Sequence, residues 1–151
     1  MSFADLAIYD RRGRLNTAVD IRAVRGTTSQ WAAELRRNLL SHGDSPLQVA
    51  QYFLIVTPDR IYLWEDAGDV AEAIPPTHEY DAKALLAPYF ARARFTPETV
   101  SGYAFELLVG NWVSDLLRIA NGYQQPAPEW ARDSEWLESM RNGRWEFEPA
   151  A

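Results

Sequence analysis

Asp5, Asp20 and Arg22 are the residues whose types and spacing could do chemistry in this chain. The stretch between the two acids reads as a β-hairpin. ADLAIY from position 4 alternates in polarity, DRRGR supplies turn residues, and LNTAVDIRAV from Leu15 alternates again. With Arg12 and Gly13 as a two-residue loop, the pairing register sets Asp5 directly opposite Asp20. That register also puts Leu6, Ile8, Leu15, Val19 and Ile21 on one face and Asp5, Asn16, Asp20 and Arg22 on the other, as the two-residue period of a strand requires. Two carboxylates facing each other across a sheet repel unless one is protonated or a cation lies between them. A hard divalent ion such as Mg²⁺, held by one or two carboxylates plus waters, is one solution. Arg22, projecting from the same face, could neutralise charge there. The alternative is a surface ion-pair cluster on an exposed sheet face with no chemistry of its own.

The elements that must position these residues follow in order. After Gly26 the hydroxyls of Thr27, Thr28 and Ser29 offer helix N-caps, and Trp31, Leu35 and Leu39 recur at helical spacing up to His42 and Gly43. QYFLIVT and RIYLWE, separated by Pro58 and Asp59, predict a second β pair, the first strand buried on both faces. Gly68 to Tyr80 reads as an irregular connection, and Asp81 to Arg92 as a short helix with Pro88 as a boundary or kink. Pro97 marks a helix start, and Phe105, Leu108, Trp112, Leu116 and Ile119 carry the helix to about Ala120. A last helix is expected from Glu129 to about Arg141. The whole predicts a single α/β domain with a central mixed β-sheet flanked by helices. It divides into a motif hairpin, helix and β pair (1–66), a helical part (67–127) and an acidic, tryptophan-bearing C-terminal segment (128–151).

Ala4-Asp5 followed by Asp20-Ile21-Arg22 resembles the motif of the PD-(D/E)XK nucleases, the restriction-endonuclease-like superfamily. Motif and element order together cover roughly residues 3 to 65. The resemblance implies a restriction-endonuclease-like fold, with extra C-terminal helices here. It implies an endonuclease acting on DNA phosphodiesters with Mg²⁺ or Mn²⁺ held by Asp5 and Asp20. In that family a lysine two residues after the second acid helps position or activate the attacking water. Arg22 stands at that position, and a guanidinium cannot accept a proton, so it could only hold water or offset phosphate charge. The chain begins four residues before Asp5, without the helix that usually precedes the motif and often lends an acid to the metal. Gln30 and Glu34 on the following helix are the candidates to stand in for it. The expectation is a Mg²⁺-dependent nuclease with an Asp-x-Arg motif, or a nuclease-derived interaction or scaffold protein that has lost cleavage.

Composition bounds both readings. The chain has 151 residues, 47% of them hydrophobic, no cysteine and a net charge of -6. Thiol catalysis, cysteine zinc sites and disulfides are excluded. The net charge hides an asymmetry, because residues 1–43 hold seven arginines against four carboxylates, or +3. A DNA-facing patch from Arg11 to Arg37 competes with the simpler reading of solvated turn and helix cations, Arg36 and Arg37 lying where a helix C-terminus favours them. Lys83 is the only lysine. There is no nucleophile-elbow serine, phosphate-binding glycine loop or dinucleotide fingerprint, so no organic cofactor is expected. No apolar run approaches a membrane span and the N-terminus lacks a signal-peptide pattern, which predicts a cytoplasmic protein with no membrane partner. Tyr103, Leu107 and Leu117 add apolar surface on further faces of the long helix, which predicts a homodimer or docking of the tryptophan-bearing tail.

Overall fold

The structure is a computed structural model that describes residues 5–41, 50–68, 72–123 and 135–147. Six strands form one mixed sheet: β1 (Leu6–Tyr9), β2 (Leu15–Ile21), β3 (Tyr52–Val56), β4 (Arg60–Glu65), β5 (His78–Asp81) and β6 (Arg144–Phe147), in the order β5-β4-β3-β2-β1-β6. Four helices occur among the described residues: α1 (Ser29–Leu40), α2 (Ala82–Ala93), α3 (Gly102–Ala120) and α4 (Glu135–Ser139). Only β2 and β3 run parallel, joined through α1, and every other neighbouring pair is antiparallel. The predicted α/β class with a mixed central sheet stands.

Strand alternation sorts the core into two layers. Leu6, Ile8, Val19, Ile21, Leu54, Val56, Ile61 and Leu63 point to one side, where Leu86 and Phe90 of α2, Phe105, Leu108 and Trp112 of α3, and Trp136 of α4 cover them. Ala18, Phe53, Ile55, Tyr62 and Trp64 point to the other, under Ala32 and Leu40 of α1. β3 is buried on both faces, as its continuous apolar run requires. Thr57 closes the β3–β4 turn, its amide donating to the Arg60 carbonyl at 2.8 Å and its hydroxyl accepting from the Arg60 amide at 2.9 Å.

The first hairpin keeps its expected pairing by a different route. Its loop is three residues, not two: the Asp10 amide donates to Arg14 O, the Gly13 amide donates to Asp10 O, and Gly13 sits at φ +79°. That loop alone would shift the register by one. An extra residue in β2, Asn16, lies between the Tyr9–Leu15 and Ile8–Thr17 pairs and shifts it back, so Leu6 faces Val19 and Ala7 faces Ala18. The bulge also turns Asn16 onto the side of Thr17 and α4, where its amide donates to Ser139 Oγ at 3.0 Å. Asn16 therefore does not share a face with Asp20.

Other boundaries move. α3 starts at Gly102, with Ser101 Oγ accepting from the Ala104 amide at 3.2 Å, rather than at Pro97. Pro88 lies inside α2 without ending it. The connection read as irregular ends in strand β5, whose four residues HEYD carry little apolar signal because the strand is an exposed sheet edge. The last helix, read over Glu129 to Arg141, is described only from Glu135 to Ser139, and its earlier part falls outside the described residues, as do Ala4, His42 and Trp130. Arg141 lies in the turn leading to β6, which the sequence reading missed and which pairs with β1. Arg36 is not a solvated cation. Its side chain is buried, Nη2 donating to Gly68 O at 2.8 Å with the guanidinium 5.9 Å from the Trp64 ring, and burial lowers its pKa.

Candidate functional site

Asp5 and Asp20 meet at the open end of the β1–β2 hairpin. Asp5 brackets Asp20: its amide donates to the Val19 carbonyl at 2.9 Å, and its Oδ2 accepts from the Ile21 amide at 2.7 Å. Asp20 is 3% exposed and projects to the α1 side, the side of its neighbours Ala18 and Ile55. Arg22 grips it, with Nε donating to Oδ2 at 2.7 Å and Nη2 to Oδ1 at 3.4 Å, while its own side chain stays 43% exposed. Burial raises the Asp20 pKa. Arg22 opposes the rise, and the adjacent Asp5 carboxylate adds to it by charge and by hydrogen bonding.

A third acid shares this field. Glu106, in the second turn of α3, is held above its ordinary pKa first by burial, then by Asp5 and by Asp20. The sequence reading did not single it out. Its signal was present, because Glu106 interrupts the apolar run of YAFELLVG with the one charge in the first half of the helix. Gln30 and Glu34, proposed as supports, are not brought to the site. α1 turns Ala32, Ala33, Arg36 and Leu40 inward, which leaves Gln30 and Glu34 on its solvent face, with no hydrogen bond or ion pair to Asp5, Asp20 or Arg22 among the described residues.

When both are ionised, Asp5 and Asp20 against the one guanidinium of Arg22 leave the pair one positive charge short of neutral. The donor set suits a hard divalent ion of the Mg²⁺ type, which binds through one or two carboxylates and keeps several waters. No group of three or more His, Asp or Glu residues placed to hold a metal occurs among the described residues, so only these two carboxylates could serve. Beside it, Arg22, Val24, Arg25, Thr28, Trp31 and Leu35 line a groove of about 470 Å³. Arg25 reaches Glu98 at 3.7 Å across this rim, both side chains being more than half exposed.

The Asp20 shift makes a pH prediction. The folded protein holds the Asp20 proton more tightly than the unfolded chain does. The stability this group contributes is therefore fully present below the ordinary value of 3.8 and lost as pH rises through the higher folded value. Asparagine, isosteric with the protonated acid, escapes that loss. Relative to wild type, Asp20→Asn gains stability in urea titrations as pH rises above 3.8, until the folded Asp20 is ionised. A difference that does not change with pH above 3.8 would contradict the assigned burial.

Among the described residues no helix is long and apolar enough to cross a membrane. Compared with protein-family models, curated proteins and solved structures, the chain matches none of them.

Proposed function

We propose that this chain is a restriction-endonuclease-like domain that cleaves DNA phosphodiesters with Mg²⁺ or Mn²⁺ held by Asp5 and Asp20. The observation that carries the reading is the meeting of two carboxylates, Asp20 nearly buried on β2 and Asp5 just before β1, with too little cationic charge to balance them. When bound, the ion acidifies water and offsets phosphate charge. The remaining work falls to the chain itself. The Asp5 carboxylate is fixed by the Ile21 amide, so one donor is placed before any ion arrives. Arg22 spends Nε and Nη2 on Asp20, which leaves Nη1 to donate to a non-bridging phosphate oxygen. It cannot take a proton from water, so no residue here repeats the role of the family's lysine. The groove beyond Arg22 supplies Arg25 for a flanking phosphate and the Trp31 indole for a sugar or base face.

The test is cleavage of plasmid, linear and single-stranded DNA with Mg²⁺ or Mn²⁺. Asp5→Asn is expected to lower the rate by about 100-fold or more, the loss usual for a group that stabilises developing charge. Equal cleavage by wild type and variant would overturn the reading. In the same assay Arg22→Lys frees Asp20 from the two-point grip and restores an ammonium at the motif position, so its rate is expected to rise.

One observation favours a second reading. The 2.7 Å bond from Arg22 already supplies Asp20 with a counter-charge, as in a nuclease-derived interaction domain that needs no metal. Tyr103, 73% exposed, and Leu107, 45% exposed, would then lie in a homodimer contact, whereas Leu117 is spent on the core. That reading requires no heat of Mg²⁺ binding and a concentration-dependent mass in sedimentation.

A further inference from the structure

We infer that the tip of the β1–β2 hairpin, at the other end of the strands from Asp5 and Asp20, is a phosphate-binding cleft. The inference uses no residue of the carboxylate site and holds whether or not that site cleaves DNA. Arg11, Arg12, Arg14 and Arg141 converge on a cleft of about 540 Å³ whose acids are Asp10 and Glu138. Four of the chain's cations thus face one cavity with two counter-charges, in a protein whose net charge is -6. Like charges brought together this way are costly unless an anion joins them.

The backbone that carries these arginines is held in place. Asp10 Oδ1 accepts from the amides of Arg12 at 2.9 Å and Arg14 at 3.0 Å, and Oδ2 accepts from Arg14 Nε at 3.3 Å. These bonds hold the loop in one shape and hold the Asp10 pKa below its ordinary value. The opposite wall is tied down as well. Asn16 donates to Ser139 Oγ, and the Asn142 amide donates to Asn121 Oδ1 at 2.6 Å.

Within this frame the cations are unequally spent. Arg14 gives Nε to Asp10, and Arg141 reaches Glu138 only at 3.8 Å. Arg11 and Arg12 have no acidic partner among the described residues. Guanidiniums with unspent N–H pairs on a preformed loop select planar or tetrahedral oxyanions, and phosphate takes two such pairs at once. The volume admits two linked phosphates. They belong either to a small phosphorylated ligand or to two successive positions of a nucleic-acid backbone.

The experiment titrates the full chain with inorganic pyrophosphate and, separately, with a short DNA duplex, by calorimetry at low and at physiological salt. Pyrophosphate is expected to bind saturably, more weakly as salt rises because the arginines are exposed. Arg12→Gln and Arg141→Gln should each weaken it about tenfold, the usual worth of one charge-assisted contact. Both variants keep the loop, since Asp10 is bound by the Arg12 amide and not by its side chain. Arg60→Gln removes the same charge from β4 and should leave binding unchanged. Duplex displaced by pyrophosphate would identify backbone phosphates as the source, and pyrophosphate binding without competition from duplex a small ligand. Absence of pyrophosphate binding, or equal weakening by Arg12→Gln and Arg60→Gln, would overturn the cleft.

Discussion

Replacing Trp136 by alanine lowers the unfolding free energy by about 3–5 kcal/mol, a large share of the roughly 5–15 kcal/mol that keeps a domain of this kind folded. Trp136 is fully buried in the larger core layer, so the truncation opens a cavity between α4 and the sheet that the backbone cannot collapse to fill. It also breaks a closed ring of hydrogen bonds. The indole N–H donates to Thr17 Oγ1 at 2.8 Å, Thr17 Oγ1 to Asn16 Oδ1 at 2.6 Å, Asn16 Nδ2 to Ser139 Oγ at 3.0 Å, and Ser139 Oγ to the Trp136 carbonyl at 2.5 Å. Trp136→Phe separates the two effects. It keeps most of the volume, loses the N–H, and should cost about 1–3 kcal/mol. Urea denaturation followed by far-ultraviolet circular dichroism measures both. A cost below about 1 kcal/mol for the alanine variant would show that α4 is not part of the cooperative fold.

That ring explains why the sequence was legible at the site and not around it. The pairing of Leu6 with Val19 and the closeness of Asp5 to Asp20 follow from an assumed two-residue loop, checked against the two-residue period of the strands. The loop was misjudged by one residue. The bulge at Asn16 compensates, and it is held by its neighbour Thr17 and by Ser139 and Trp136, which lie more than a hundred residues away and which no local pattern reveals. Glu106 comes into the field of the carboxylates because α3 packs across β2, a tertiary fact, and Gln30 and Glu34 failed for the matching reason that α1 rotates them to solvent. Arg36 shows the limit of reading charge from helix position, since a cation near a C-terminus is also where a long side chain can tuck under a loop carbonyl. The missed strands, β5 and β6, are both sheet edges of four residues, too short and too polar to show a period.

The edge strand β6 also yields the sharpest steric prediction, at Gly143. A Cβ on Gly143 would lie 2.2 Å from the Tyr9 carbonyl oxygen and 2.8 Å from the Met140 carbonyl oxygen. Both are backbone atoms, so no rotamer change relieves the clash, and β6 must leave β1. With it go the Trp145 bond to Ser114 Oγ at 2.7 Å and the stacking of Arg144 over Tyr9 at 4.4 Å. Gly143→Ala is expected to cost about 3 kcal/mol, the upper end of overpacking in a core. Gly110 in α3 is the control. There a Cβ would meet only side chains, Trp145 Cη2 at 2.9 Å and Phe147 Cζ at 3.1 Å, and those rings can shift. Alanine at Gly110 also recovers roughly 0.5–1 kcal/mol of helix propensity, so its net cost is far smaller. The proposed Mg²⁺ site follows the same order. Without β6, β1 becomes the sheet edge and Asp5 loses the strand that steadies its approach to Ile21, so any Mg²⁺-induced rise in melting temperature should shrink in Gly143→Ala and persist in Gly110→Ala. A Gly143→Ala protein as stable as Gly110→Ala would mean that β6 does not pair with β1 in solution.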